Sequence, residues 1–238
     1  AFDIENEETD RYLIQVSDYF NSDGPGFNII RKSLKKEYGL GSADRKRSFI
    51  DTVNSFPENT EIRHTLTYSA SSPPRGNRAG TLSFQINHSI IALPSEPMQV
   101  RYEDPRVGWF TLSRCTSSSE ALKSGEVHFI RRWRLVPSDM EAYKNGELVE
   151  PIKPIVYYLD PATPLKWRPY FKKGIEDWNT AFEKAGFKNA IIAKDPPTKE
   201  EDPDFSPEDS RYSTVRYVAS TTRNATGPSV SDPRTGEI

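Results

Sequence analysis

The sequence predicts an α+β fold, an antiparallel β-rich N-terminal domain over residues 1–150 followed by part of an α/β subdomain over residues 151–238. Two observations lead to it. Between about residues 48 and 136 apolar side chains recur with a period of two, the mark of half-buried strands. Beyond residue 150 a continuous apolar run, an amphipathic helical stretch and a second short apolar run succeed one another, which is the order of a βαβ unit.

Taken in order, the first ~45 residues are mixed, with no single period. Phe27, Ile30, Leu34 and Tyr38 recur at helical spacing, and Gly39-Leu40-Gly41 ends such a helix. In 61–69, Ile62, His64, Leu66 and Tyr68 alternate with polar residues; in 81–90, Leu82, Phe84, Ile86, His88 and Ile90 do the same. The Ser/Pro/Gly-rich stretch between them reads as a hairpin loop. A register in which Tyr68 faces Leu82 puts His64 and His88 on one face, near a diagonal. Further strands are expected at 48–55, 98–103, 107–114 and 127–136, with residues 103–106 as a turn.

In the second region, residues 154–159 form a run suited to a strand covered on both faces. Thr163 is the expected N-cap of one long helix, with Pro164 at its first position. Trp167, Tyr170, Phe171, Ile175, Trp178, Phe182 and Ala185 form its apolar stripe, and Gly186 stops it. Strands follow at 190–193 and 213–218, the first parallel to 154–159 through a right-handed crossover. Loops fill 194–212 and 219–235, and Glu237-Ile238 open a fourth strand.

Composition narrows the function classes. Lys and Arg number 32 against 34 Asp and Glu, a net charge of -2. That balance lacks the basic field of a general nucleic-acid binder. Mean hydropathy is -0.71, and no apolar run is long enough to span a bilayer. The single cysteine, Cys115, rules out an intrachain disulfide and a Cys-based zinc cluster. With no initiator Met and no signal segment, the sequence is expected to have lost a leader or to have been cut.

Side chains with chemical capacity are few. His64 and His88 offer two imidazoles but no evident third ligand, so hydrogen-bonded core histidines are the plainer reading. His128, in a strand, has the same reading. Cys115 has no partner motif, and a lone cysteine behaves as a small hydrophobe. Arg131, Arg132 and Arg134 around Trp133 divide between two strand faces, which favours paired charges over a nucleic-acid strip. The acidic stretch 200–204 lacks the spacing of a calcium loop and reads as a solvated, mobile one. Asn87-His88-Ser89 and Asn224-Ala225-Thr226 match the glycosylation pattern, a weak signal.

Several long segments carry a family resemblance. They are residues 153–164, Trp167-Arg168-Pro169-Tyr170, residues 174–179, residues 181–190, Ser213-Thr214-Val215-Arg216-Tyr217 and residues 227–238. Together they resemble bacterial zinc-dependent metallopeptidases of metzincin type that carry an uncharacterised β-rich N-terminal domain. Residues 104–110 and 129–135 resemble that domain. The likeness implies a zincin-like subdomain over 151–238, a mixed sheet with one long crossover helix at about 164–186. It implies peptide-bond hydrolysis by zinc-activated water, with the zinc ligands on a helix that this sequence does not include, and hence no catalytic or metal residue and no bound zinc here. Gly236, Glu237 and Ile238 would begin the edge strand that pairs with a peptide or protein substrate, and the loop 219–235 would rim the cleft. The missing C-terminal part of the catalytic domain would be the partner of this chain. The likeness also implies a secreted, periplasmic or cell-surface location. Residues 1–150 would be a pro-segment or accessory domain; blockade of zinc by Cys115 or Asp104 is less favoured than a structural role. The alternative reading is a non-catalytic protein- or glycan-binding module anchored by Trp109 and Trp133, although tryptophans in strands usually belong to the core.

Overall fold

The computed structural model describes residues 3–9, 11–22, 24, 29–120, 122–221 and 224–238, and divides into two compact units, Ala1–Ala92 and Leu93–Ile238. In the first unit a β1 (Asp3–Glu8) and β2 (Arg11–Gln15) hairpin precedes the short helices α1 (Ser17–Phe20) and α2 (Lys32–Tyr38). Gly39 caps α2 as expected; Phe27, which the helical spacing included, lies outside the described residues. Then come β3 (Leu40–Ala43), β4 (Phe49–Ser55), β5 (Asn59–Ala70) and β6 (Thr81–Ile91).

Strand β5 organises this unit. It pairs antiparallel with β6 along its length and with β3 and β4 in succession. A 3-10 turn at Arg45–Arg47 separates β3 from β4, and the Asp44 side chain caps it by accepting from the Lys46 amide at 3.0 Å. The register is the one that sets His64 and His88 on one face: Tyr68 opposes Leu82, Ile62 opposes His88 and His64 opposes Ile86. Period two therefore sends Leu66, Tyr68 and Ile86 to one face, where they are buried against Ile30, Leu40, Ala43 and Phe84. On the polar side, the buried Glu61 carboxylate accepts from Asn59 Nδ2, Asn87 Nδ2 and Ser89 Oγ at 2.6–2.7 Å.

The second unit holds the β7 (Thr111–Thr116) and β8 (Gly125–Ile130) hairpin, α3 (Met140–Lys144), β9 (Ile155–Leu159), α4 (Arg168–Glu176), α5 (Asn179–Lys184), β10 (Ile191–Lys194) and β11 (Ser213–Val215). Strands β10 and β11 both lie parallel to β9 in a 3-stranded sheet ordered β10-β9-β11. The expected parallel βαβ unit is present in that sense. The sheet is wholly parallel among the described residues rather than mixed.

Three expectations change here. The helix expected over 164–186 is two shorter helices, interrupted at Asp177 and Trp178. The interruption lets Asn179 turn onto β10, where Nδ2 donates to Ile191 O at 2.9 Å and Oδ1 accepts from Ile191 N at 3.2 Å. Thr163 does not cap α4: it is buried in a turn after Asp160, and its carbonyl takes a bond from Arg168 Nε at 3.0 Å. Gly186, at φ +91, does end the helical stretch, and a Cβ there would meet the Tyr143 ring at 2.6 Å. The strand expected at 98–103 is reduced to a Tyr102–Phe129 bridge. The compact units divide at 92/93, and within the second of them Val149 bridges Phe187 and is buried with it and Ala190.

The acid-rich loop between β10 and β11 is built on a buried group. Asp209 is 1% exposed and accepts from the Arg211 amide at 3.0 Å and from Arg211 NH2 at 2.6 Å. The Arg211 guanidinium holds this carboxyl below its usual range. Phe205 and Tyr212 of the same loop pack on Tyr158 of β9, with ring centroids 5.6 and 5.5 Å away. Asp209→Ala should cost about 2 kcal/mol, less than a fully buried pair because Arg211 is 39% exposed. A urea midpoint unchanged by the substitution would contradict this.

Candidate functional site

The expected edge strand of residues 236–238 is held by a turn on one side and by the segment following β8 on the other. Asp232 is buried and accepts from the Arg234 amide at 2.7 Å and from Arg234 Nε at 3.1 Å. Its carbonyl takes the Thr235 and Gly236 amides at 3.2 and 2.9 Å. This is the Asx-type turn that Asp-Pro-Arg-Thr-Gly favours. Arg132 N then donates to Gly236 O, and Ile238 N to Arg132 O, each at 3.0 Å, forming a parallel bridge between Arg132 and Glu237. Glu237 turns its own polar groups inward: its N–H donates to Thr235 Oγ1 at 3.2 Å and its carbonyl accepts from Asp232 N at 2.7 Å. Residues 236–238 thus join the chain at Arg132, not the β10-β9-β11 sheet.

Arginines fasten this segment. Arg131 NH2 donates to Ser229 O at 2.6 Å, and Arg131 Nε to Ser231 Oγ at 3.1 Å. Arg114 reaches Pro233 O. Arg134 NH2 pairs with the Glu237 carboxylate at 2.6 Å and also reaches Glu96 O at 2.7 Å. Arg234 ties the turn to Pro94 O at 2.7 Å. Arg132 NH2 donates to Gln99 O at 2.8 Å, while its Nε is buried with no acceptor among the described residues; Arg134 Nε is in the same state. Burial lowers the Arg132 pKa, and the neighbouring Arg101 charge lowers it further.

The arrangement can hold a strand and balance charge. Among the described residues no group of His, Cys, Asp and Glu can hold a metal ion, so a zinc set does not fit the residues present. The His64 and His88 rings lie stacked 5.1 Å apart beneath Phe20, in the first unit. His128 stands 4.0 Å from Glu103, and Cys115 is an exposed thiol. The two strand tryptophans part company: Trp133 packs edge-on against Tyr157, whereas Trp109 is 46% exposed. The arginine fastening was not visible in sequence. Its partners lie some 100 positions away, and the two-face pattern split residues that act together.

A β-rich chain with one parallel βαβ unit is the class these features define. Residues 1–138 match the family described as a domain of unknown function, DUF5117, and the chain belongs to that family. No curated protein and no solved structure matches the chain.

Proposed function

We propose that this chain supplies the scaffold of a zinc-dependent metalloendopeptidase, in which the metal chemistry belongs to residues other than these. The observation that supports the reading is the succession strand, helical layer, strand, strand in the β10-β9-β11 sheet. The resemblance calls for that order ahead of an edge strand and a metal-binding helix. In this reading Gly236, Glu237 and Ile238 begin the edge strand and are held there by the turn and by Arg132, since both polar backbone groups of Glu237 and the Ile238 amide are already engaged. The location in the reading is secreted, periplasmic or cell-surface. A longer protein containing these residues should carry about one zinc per chain and cleave casein in a chelator-sensitive manner, while the 238-residue chain alone does neither. A longer protein with neither property, or cleavage by the shorter chain, overturns the proposal.

One observation favours a second reading, a binding module without catalysis. Tyr102, Trp109 and Phe110 are 64%, 46% and 86% exposed, and aromatic rings so placed serve as contact anchors. Absence of hydrolysis in the longer protein, together with protein or glycan capture that is lost in Trp109→Ala and Phe110→Ala, decides for it.

A further inference from the structure

We propose that Arg132, flanked by Arg101 and Arg134, forms a carboxylate-binding site that takes an acidic side chain from a peptide lying against residues 236–238. Three observations converge on it. Arg134 is already committed to Glu237, and Arg101 is solvent-exposed. Arg132 is the half-buried guanidinium between them, and among the described residues no carboxylate reaches ion-pair distance of it. Its one side-chain bond, to Gln99 O, is to a neutral acceptor, and its Nε is buried without an acceptor, so a carboxylate would approach the terminal nitrogens.

A guanidinium that has lost part of its hydration and gained no anion is held at a cost, which a carboxylate arriving in bidentate geometry reverses. The local charge points the same way: burial and the Arg101 and Arg134 charges disfavour the Arg132 cation, and only Glu237 offsets them. A single carboxylate matches the vacancy in charge. Nucleic acid does not, because the chain is acidic as a whole at net -2 and has no extended basic field. The backbone of Arg132 is the same one that pairs with Gly236 and Ile238, so an acidic residue of a peptide beside that strand comes within reach of the fork. The site stands whether or not the segment serves a peptidase.

The test uses the 238-residue chain itself, titrated calorimetrically with a capped Ala-Glu-Ala peptide, its Ala-Gln-Ala counterpart and inorganic phosphate at low ionic strength. The glutamate peptide should bind saturably, the glutamine peptide and phosphate more weakly. Arg132→Gln should weaken the glutamate peptide about tenfold or more. Arg132→Lys keeps the charge and the backbone bridge but loses the fork, and should also weaken binding. The site is refuted by lack of saturable binding, by equal or tighter binding of the glutamine peptide or phosphate, or by full affinity in the folded Arg132→Lys protein.

Discussion

Gly236→Val should detach residues 236–238 from Arg132 and cost the second unit roughly 3 kcal/mol. Gly236 sits at φ +79, a left-handed conformation that a β-branched residue resists. The space is closed as well: a Cβ at this position would lie 2.5 Å from Ile130 O and 3.2 Å from Ile130 C. Those atoms are backbone at the end of β8, tied to Arg101 O through the Ile130 amide at 2.8 Å, so they cannot swing aside as a side chain would. Relief requires the turn to move away. That breaks the 3.0 Å bonds from Arg132 N to Gly236 O and from Ile238 N to Arg132 O. It also pulls Glu237 from Arg134. Chemical denaturation gives the stability loss, and hydrogen exchange at the Arg132 and Ile238 amides reports the local release. Gly236→Ala should act in the same direction by a smaller amount. An unchanged midpoint with the Arg132 amide still protected would show that the close approach does not hold the strand.

The same position shows which parts of the structure could be read from sequence. The hairpin of β5 and β6 was legible down to its buried face, because alternation with a period of two allows no slip of one residue without turning Leu66, Tyr68 and Ile86 out to solvent. The parallel order of β9 and β10 was legible from the length of the helical stretch between them. Gly236 is expected from sequence as the start of the edge strand; its contact with Ile130 joins residues 106 positions apart and left no local trace. The break at Asp177 and Trp178 was hidden for a related reason. The apolar spacing runs through it unbroken, and what divides α4 from α5 is the grip of Asn179 on the backbone of Ile191. Tyr170 and Trp178 are 70% and 64% exposed, so residues counted in one apolar stripe lie partly outside the core. The arginines of 131–134 were visible as residues and invisible as a group. Their acceptors are mostly backbone carbonyls and serine hydroxyls, which carry no charge pattern to search for.

Lowering the pH should destabilise the first unit through His64. This side chain is 1% exposed, stacked on His88 and covered by Phe20, whose ring centroid lies 5.6 Å away. Neither ring nitrogen of His64 makes a hydrogen bond of good geometry among the described residues. Burial lowers its pKa from the ordinary 6.5, and the His88 charge lowers it further; the Phe20 backbone and the Asp51 carboxylate oppose the shift without reversing it. His88 is shifted down by burial too. The sign follows directly. With the folded pKa below the unfolded one, the unfolded chain binds more protons between the two values, so stability is full above 6.5 and falls as pH drops toward the folded value. Ile86 and Ile50, which oppose His64 on the neighbouring strands, offer an imidazolium no acceptor of their own. Each pH unit crossed inside that window removes up to about 1.4 kcal/mol per group. His64→Phe keeps an aromatic ring against Phe20 and removes the proton site, so it should flatten the decline and raise the urea midpoint at pH about 5 relative to the parent. Parallel decline of parent and His64→Phe would place the acid sensitivity outside His64, with His88 the next candidate, because the carboxylates with lowered pKa values, Asp44, Asp104, Asp209 and Asp232, act mainly around and below the ordinary 3.8.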